Sequence, residues 1–291
     1  MTRLRVIVLC CEGLYQDYLV KRAAEDFELV GVVRLRVPRP AGTLMDRVKR
    51  YRNPGTLLRF LQARIFLPRF ERRGRALGAK LFFQNGQPPH SPAGVPQLVT
   101  ANINADETAN FIRSQATDIV LVNGTNLLRG PILALIPQIP LGIVNLHTGL
   151  SPYSRGGNCN LFMMIENHPE LVGVTVHHID AGIDSGDMIL TAQVAMEPDD
   201  NYEMVDVRSF HQGIELMMKA VHQLASGRAH RVPQWEGGKL FLRRTGYVYE
   251  PWHRLVANRL LDAGLVRRYL DEKGRRDNGV RLVEGPGDKE A

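Results

Sequence analysis

The sequence predicts an α/β protein built on a mostly parallel, twisted sheet with helices on both faces. Two observations indicate this class. An apolar, β-branched run at residues 4–11 is followed by a helical pattern and a second apolar run, and the same alternation returns between residues 105 and 227. Chains that alternate in this way build parallel sheets, because each helix returns the chain to the same end of the sheet.

Each predicted element rests on its own pattern. Apolar runs mark the strands, which span residues 4–11, 27–37, 117–124, 142–149, 173–184 and 187–196. Helical spacing marks the helices, which span residues 14–27, 105–116, 158–168 and 201–227. We therefore predict one domain over residues 1–229, interrupted by a basic insertion at about residues 39–80. In the extension that follows, residues 230–291, the polar tail after about residue 274 is expected to be disordered.

The composition excludes several classes of protein. Of the 291 residues, 44% are hydrophobic and 23% are charged, which is typical of a globular chain. No apolar run is long enough to span a bilayer, and the first residues lead directly into a strand pattern instead of a signal peptide. Cys10, Cys11 and Cys159 are too few for a disulfide framework and lack a second Cys/His pair at zinc spacing. We therefore expect a cytoplasmic protein with no metal site.

Positive charge is concentrated in one segment. The chain carries a formal net charge of +7, and residues 47–80 hold eleven Arg or Lys against one acid, Glu71. The spacing within this segment predicts a helix that ends at Pro68 and packs on the domain by one apolar face, leaving a solvated Arg face. The apolar positions are Leu57, Leu58, Leu61, Ile65 and Phe66. Docking of the helix on an acidic ligand, on RNA or on an anionic membrane surface stays open.

The residues that can carry out chemistry lie at the end of a predicted strand that begins with GIVN. Asn145 and His147 stand two positions apart at its carboxyl end, so period-2 alternation points both side chains the same way. Ligands bind at this end of the strands in open α/β sheets. A His can accept the proton of an attacking amine, and an Asn can donate to the oxyanion of acyl transfer. The turn at residues 179–189, IDAGIDSGDMI, supplies acids that can orient the imidazole.

Two neighbouring histidines precede that turn. His177 and His178 are adjacent on a predicted strand, so their side chains face opposite ways, and neither is expected to act in catalysis. Asp180 and Asp187 are expected to stabilise the turn instead of acting as acids in the reaction.

Two separated motifs resemble those of a known family. N-x-H with L-x-P-x-x-R-G, followed by G-V-T-V-H-x-x-D-x-G-x-D-S-G-D, is similar to the formyltransferases that use 10-formyltetrahydrofolate. By order of elements the resemblance extends over about residues 4–227. It implies a Rossmann-like fold and N-formyl transfer without a metal, with Asn145, His147 and Asp184 as the catalytic residues. It also implies that two loops hold the folate donor, at Asn126, Leu128, Ile179, Asp180, Gly182 and Asp184.

The loop after His147 bears on the acceptor. Thr148 and Gly149 stand where many members of the family carry Pro and Ser, and this variant resembles members that modify aminosugars. The first loop, CCEGLYQ, lacks the glycine-rich phosphate cradle of the purine-pathway members, and few residues follow residue 227 to form the barrel that grips tRNA. We therefore expect a small anionic amine, a nucleotide-linked aminosugar, bound through Arg155 and Ser151 and helped by the basic segment.

Three alternatives stay open: a methionyl-tRNA formyltransferase-like enzyme, a 10-formyltetrahydrofolate hydrolase, and a folate-binding regulatory protein without turnover. The short extension disfavours a nucleic-acid partner, although a tRNA would suit the basic segment. The oligomeric state is also open, with a homodimer among the options.

Overall fold

The computed structural model describes residues 3–37 and 52–285. The strands in this part of the chain are β1 (Arg5–Cys11), β2 (Glu28–Leu35), β3 (Gln97–Thr100), β4 (Ile119–Asn123), β5 (Ile143–His147), β6 (Ser154–Gly156), β7 (Gly173–His178), β8 (Met188–Gln193) and β9 (Lys239–Phe241). The α-helices are α1 (Leu14–Asp26), α2 (Pro54–Phe82), α3 (Asp106–Ser114), α4 (Cys159–Ile165), α5 (Tyr202–Ala225), α6 (Pro251–Asp262), α7 (Leu265–Asp271) and α8 (Lys273–Asp277). Short 3-10 helices span Leu133–Gln138, Pro169–Leu171 and Arg243–Thr245. All the predicted strands and helices of the first domain are present, and the short strands β3 and β6 were not predicted.

Seven of the strands form one sheet in the order β3-β2-β1-β4-β5-β7-β8. Neighbours from β3 to β5 pair in parallel, whereas β7 is antiparallel to both β5 and β8. One hydrophobic cluster packs α1, α4 and α5 on one face, and a second packs α3 and Leu133–Gln138 on the other. A mostly parallel sheet with helices on both faces confirms the predicted fold class.

The order of the strands reverses between β1 and β4. The chain moves outward from β1 to β3 on one side and restarts at β4 on the other, and ligands of open α/β sheets bind at such a point. Two side chains join the strand ends there: Gln16 Nε2 donates to Asn123 Oδ1 at 2.8 Å, and Asn123 Nδ2 donates to Leu146 O at 3.1 Å. These bonds hold the carboxyl ends of β4 and β5 and the start of α1 together.

The helix of the basic segment is longer than predicted. α2 runs for 29 residues and passes through Pro68, so the predicted stop at this residue is wrong. Proline removes one backbone donor, but Leu67 and Phe70 on either side of it are buried, and their packing holds the helix together. Residues 38–51, which include the first part of the basic insertion, lie outside the described residues. Within the described ranges no helix, α2 included, combines the length and apolarity needed to span a bilayer.

The orientation of α2 also differs from its prediction. The five apolar side chains expected to pack are between 40% and 68% exposed: Leu57, Leu58, Leu61, Ile65 and Phe66. The buried face consists instead of small and aromatic residues and one leucine: Ala63, Leu67, Phe70, Gly74, Gly78 and Phe82. Gly74 lies so close to α5 that a Cβ at this position would approach Glu203 Cβ to 2.7 Å. Close helix packing through small residues therefore decides the orientation, which large apolar residues alone do not indicate.

The C-terminal extension packs on the domain. β9 pairs in parallel with β6, and α6 contacts both α2 and α4. Val283 is buried, and it accepts from Thr191 N at 2.9 Å and donates to Thr191 Oγ1 at 2.7 Å. The disorder expected after residue 274 is therefore wrong for residues 274–285, because this stretch covers the edge strand β8 and satisfies its backbone. Residues 286–291 lie outside the described residues.

Candidate active site

Asn145 and His147 lie at the carboxyl end of β5, and the turn between β7 and β8 brings Asp184 to them. His147 Nδ1 is 3.5 Å from Asp184 Oδ2. The imidazole is only 6% exposed, whereas the Asn145 and Asp184 side chains are half-buried. The three residues that the sequence predicted to be catalytic are thus neighbours in the fold.

The surroundings of His147 favour one tautomer of its neutral ring. Nε2 lies 3.3 Å from Ser154 O, and because a carbonyl can only accept, this contact is a hydrogen bond when Nε2 carries the proton. Gly149 encloses this side of the ring, since a Cβ at position 149 would lie 2.3 Å from His147 Nε2. In that tautomer Nδ1, beside Asp184, is the basic nitrogen and can accept a proton.

Asp184 is fixed from two directions. Gly156 N donates to its Oδ2 at 3.0 Å, and Gln234 Nε2 donates to its carbonyl oxygen at 2.7 Å. The φ angle of Asp184 is 46°, in the left-handed region that is unfavourable for residues other than glycine and is concentrated at functional sites. Gln234 belongs to the extension, so the extension supports the turn that carries this carboxylate.

The protonation states follow from burial and charge. Burial lowers the pKa of His147 below its ordinary value, and the nearby Asp184 only partly opposes this. Burial by itself would raise the pKa of Asp184, but the charges of His147 and His177 and the N–H of Gly156 outweigh it and hold that pKa below its ordinary value. At neutral pH the site therefore pairs a neutral imidazole with a carboxylate, the state in which His147 can accept a proton.

His177 belongs to this site, although the sequence predicted only that one of the two neighbouring histidines lines the cleft and that neither acts in catalysis. Its Nδ1 donates to His178 O at 2.8 Å, so in the neutral ring Nε2 is an acceptor and receives Asn145 Nδ2 at 3.1 Å. His177 Nε2 also lies 3.6 Å from Asp184 Oδ1. The signal that could have found it is the antiparallel pairing of β5 and β7, which places Asn145 directly opposite His177.

A cavity of about 250 Å³ opens beside Asn145 and His177. All six residues expected to hold a folate line it: Asn126, Leu128, Ile179, Asp180, Gly182 and Asp184. Its walls are largely apolar, and Leu242 of the extension closes one side. Asp180 shapes the turn, because its Oδ1 accepts from Gly182 N and from Ser185 Oγ, each at 2.9 Å. The expected role of Asp180 in the turn agrees with these bonds.

The two residues expected to contact the acceptor are placed differently. Ser151 is fully buried and its backbone N–H donates to Thr175 Oγ1 at 2.9 Å, so the assignment of Ser151 as a substrate contact is wrong. Arg155 is half-buried on β6, opposite Leu240. Its Nε is buried without a hydrogen-bond partner among the described residues, and the 250 Å³ cavity is lined by its neighbour Gly156 instead.

A second, larger cavity of about 490 Å³ reaches the same loop, since Asn158 lines it and Gly156, two positions earlier, lines the first. Its walls come from the start of α1, the second half of α2, the start of α5 and α6. It contains three carboxylates and two guanidinium groups: Glu71, Glu203, Asp206, Arg75 and Arg254. Arg254 pairs with Glu71 at 3.1 Å and with Glu203 at 2.9 Å, and burial raises the pKa of Asp206 to about 6. The cavity is therefore polar and has carboxylates available as acceptors.

Metal and thiol chemistry have few candidates in the described part of the chain. No group of three or more His, Cys, Asp or Glu side chains there is arranged to hold a metal ion. The three cysteines are free thiols, and burial raises the pKa of Cys10 to about 12, which makes its thiolate scarce at neutral pH.

The sequence profile of the formyl transferase family matches residues 75–221, just over half of the chain. The chain belongs to the formyl transferase family. The resemblance of its two motifs is thereby confirmed, and Asn145, His147 and Asp184 all lie within the matched region. Gln234 and Leu242, which reach the site from the extension, lie outside the region that the family profile matches.

Individual formyl transferases are similar to the chain over different lengths. A methionyl-tRNA formyltransferase from Desulforamulus reducens is 33% identical over 141 residues, which cover 48% of this chain and 43% of that protein. The chain thus aligns with less than half the length of this relative. A candidate sugar N-formyltransferase from Mycobacterium tuberculosis has 20% identity and a TM-score of 0.51, covering 88% of this chain and 87% of that one. Glycinamide ribonucleotide transformylase 1 from Symbiobacterium toebii has 21% identity and a TM-score of 0.51, covering 79% and 94%. These two structures share the fold.

Proposed function

We propose that the chain transfers a formyl group from 10-formyltetrahydrofolate to a primary amine of a small acceptor. The observation that carries the proposal is that Asn145 and Asp184 line the 250 Å³ cavity and that His147 Nδ1 lies 3.5 Å from Asp184 Oδ2. An amide donor, a neutral imidazole and a carboxylate are the groups that acyl transfer to nitrogen requires.

The residues that line this cavity fit a folate. Its apolar walls, which include Val122, Leu128 and Ile179, suit a flat ring, and the turn at residues 179–184 offers backbone groups for the ring's polar edge. Gly182 fits this turn tightly, since a Cβ there would lie 1.9 Å from Ser185 Oγ. When bound, the donor supplies an activated formyl group.

The side chains around the formyl group have distinct roles. His147 would accept the proton of the attacking amine at Nδ1 and return it to the donor nitrogen from which the formyl group departs, and the carboxylate of Asp184 would stabilise the imidazolium in between. Asn145 Nδ2 uses one hydrogen for His177 and retains the other for the carbonyl oxygen, which gains negative charge. His177 acts as a positioning residue that sets the direction of this amide.

We propose the 490 Å³ cavity as the acceptor site and a nucleotide-linked aminosugar as the acceptor. The carboxylates of Glu203 and Asp206 are suitable acceptors for sugar hydroxyls. Arg75 lines the same cavity with a largely exposed side chain that lies 3.8 Å from Glu71, and its guanidinium would suit contact with a diphosphate. In this proposal the second half of α2 contributes the positive charge that the sequence predicts for the basic segment.

One observation favours a second candidate, formyl transfer to methionyl-tRNA. The Desulforamulus reducens relative is a methionyl-tRNA formyltransferase, and the exposed arginines of α2 would suit a polyanion such as tRNA. A tRNA neutralises many charges and makes binding fall steeply with salt, whereas a diphosphate held by two or three groups responds mildly. The dependence of turnover on salt therefore separates the two acceptors.

The test is a screen of amines with 10-formyltetrahydrofolate, read out by release of tetrahydrofolate and of formate. We expect release of tetrahydrofolate with a nucleotide-linked aminosugar, mild sensitivity to salt, and no loss of activity after exhaustive chelation. Efficient formylation of initiator methionyl-tRNA with steep salt dependence would favour the second candidate. Formate produced equally with and without amines would indicate a hydrolase, and no turnover with bound folate would indicate a regulatory protein.

A matched pair of variants tests the acceptor cavity. Asp206→Asn removes a half-buried carboxylate from the cavity, so KM for the acceptor should rise while KM for the folate donor stays the same. Asp262→Asn, which removes an exposed carboxylate paired with Arg69, should change neither constant. Equal effects on both substrates, or none, would place the acceptor elsewhere.

A further inference from the structure

The side of α2 that faces away from the core is apolar. Leu57, Leu58, Leu61 and Ile65 follow one another at helical spacing, and the most exposed of them, Ile65, is 68% accessible. We call these four side chains the outer face of α2. Ala63, Leu67, Gly74 and Gly78 lie on the opposite side and are buried, so the helix has two apolar faces, of which only this one is packed against other described residues. Four exposed branched side chains in a row form a patch of the kind that marks an interaction site.

Cations that have no ion pair among the described residues flank the outer face. Arg64 is three positions after Leu61, and Arg72 is seven after Ile65, so both side chains emerge on the same side of the helix as the apolar row. Arg59 and Arg52 are also exposed near the start of α2. Among the ion pairs found in the described ranges, none involves any of these four arginines, whereas Arg69 pairs with Asp262. Within the part of the chain that the structure describes, this charge is therefore available to an external anion.

The surface continues onto α6. Arg59 and Gln62 of α2 line a shallow cavity of about 310 Å³ together with Trp252, Val256 and Arg259 of α6. Val256 is 38% exposed, so the apolar surface extends beyond a single helix, and Arg259 adds another cation at its border.

We propose that the outer face of α2, with Arg64 and Arg72, docks the protein on the surface of an anionic lipid bilayer. A helix with aliphatic side chains along its centre and arginines beside them lies in the plane of a membrane interface, burying the apolar row among the headgroups and acyl chains. The guanidinium groups then meet the anionic headgroups. Charge complementarity is thus the feature that selects this occupant.

Other polyanions fit this surface less well. RNA-binding surfaces present aromatic rings on which bases stack, whereas the centre of this face is formed by leucine and isoleucine. The proposal does not depend on formyl transfer, because the outer face contributes no side chain to the pair of His147 and Asp184 or to the cavity beside it. An experiment that disproves membrane binding would therefore not affect the proposal of formyl transfer, and the reverse also holds.

The experiment is co-sedimentation of the full chain with lipid vesicles. We expect binding to equimolar phosphatidylcholine and phosphatidylglycerol vesicles, at least about tenfold stronger than to phosphatidylcholine alone, since each cation near an anionic surface strengthens binding about fivefold. Added salt should weaken the binding to anionic vesicles because it screens this attraction.

Two pairs of variants test the residues. Leu58→Glu/Ile65→Glu should reduce vesicle binding about tenfold or more, because it places carboxylates in the apolar row. Val99→Glu, at an exposed valine of the distant strand β3, should bind like the parent. Arg64→Gln/Arg72→Gln should also weaken binding, whereas Arg113→Gln, an exposed arginine on α3, should not. Circular dichroism and the melting temperature check that each variant is folded.

Several outcomes would overturn the proposal. Equal binding to neutral and anionic vesicles would remove the role of charge, and undiminished binding of the double glutamate variant would remove the role of the apolar row. Binding to single-stranded RNA without any binding to anionic vesicles would identify the surface as an RNA-binding face instead.

Discussion

The edge of the sheet around His147 and the outer face of α2 depart from the usual distribution of side chains in opposite ways. At the sheet edge, His147 and His177 are almost completely buried. On α2, Leu58 and Ile65 are more than half exposed. Titratable residues are mostly found at the surface and large aliphatic residues in the core, so both regions need an explanation.

The two regions differ in whether the chain itself compensates. Both ring nitrogens of each imidazole at the sheet edge face a polar group of the chain: Ser154 O and the Asp184 carboxylate for His147, and His178 O and the Asn145 amide for His177. The outer face of α2 has no such compensation within the described part of the chain. Buried polar side chains that have partners within the chain indicate an internal site. Exposed apolar side chains that have none among the described residues indicate a binding partner outside the molecule.

The largest expected effect tests which face of α2 holds the helix. Phe70→Ala removes a buried ring on the inner face and should lower the free energy of unfolding by about 3–5 kcal/mol. Leu58→Ala, on the outer face of the same helix, should change it by less than about 0.5 kcal/mol. Urea denaturation followed by circular dichroism measures both. A larger loss for Leu58→Ala would mean that the helix packs by the face first expected from the sequence.

The next effect tests the sheet edge. His147→Ala should lower kcat by about a hundredfold or more, equivalent to about 2.7 kcal/mol, because it removes the proton acceptor of the proposed reaction. Asp184→Ala and Asn145→Ala should have effects of the same order. His168→Ala is the control, since this exposed histidine pairs with Glu170 away from the site. Near-normal turnover in a folded His147→Ala variant would disprove the assignment.

The same contrast explains how far the sequence could be interpreted. Asn145 and His147 are separated by two positions on one strand, so local periodicity was sufficient to predict that their side chains share a side. His177 required knowledge that β5 and β7 pair antiparallel, which neither segment shows by itself. Gln234 and Leu242 reach the site from the extension, through contacts between distant parts of the chain.

α2 shows a different limit of sequence reasoning. Its large aliphatic residues have the helical spacing of a core face. Gly74 and Ala63, on the other side, are small enough to let the helix approach the domain closely, and the large aliphatic residues are not. Pattern reasoning weighs side chains by hydrophobicity and gives small residues little weight. In the sequence, apolar residues that bind an external partner have the same pattern as those that pack in the core.

A smaller effect would sharpen the electrostatic description of the sheet edge. Because the pKa of His147 lies below its ordinary value, activity should stay constant around neutral pH and fall only as the pH drops through that lowered pKa. The charge of Asp184 raises this pKa, so Asp184→Asn should move the acid limb of kcat/KM to lower pH. A charge on His177 lowers it, so His177→Gln should move the limb to higher pH. The amine of the acceptor titrates equally in all three proteins, and a limb that does not move in either variant would show that the acceptor, not His147, sets it.

The smallest expected effect concerns the outer face of α2 in the absence of lipid. Leu58→Glu/Ile65→Glu should leave turnover of a soluble acceptor and the melting temperature like those of the parent, with the free energy of unfolding changed by no more than about 0.5 kcal/mol. Both side chains are already more than half exposed, so little buried apolar area is lost, and glutamate has a helix propensity similar to that of leucine. Denaturation and steady-state kinetics without vesicles measure this. A marked loss of stability would show that another part of this chain covers the outer face, in which case α2 would be compensated internally in the same way as the sheet edge.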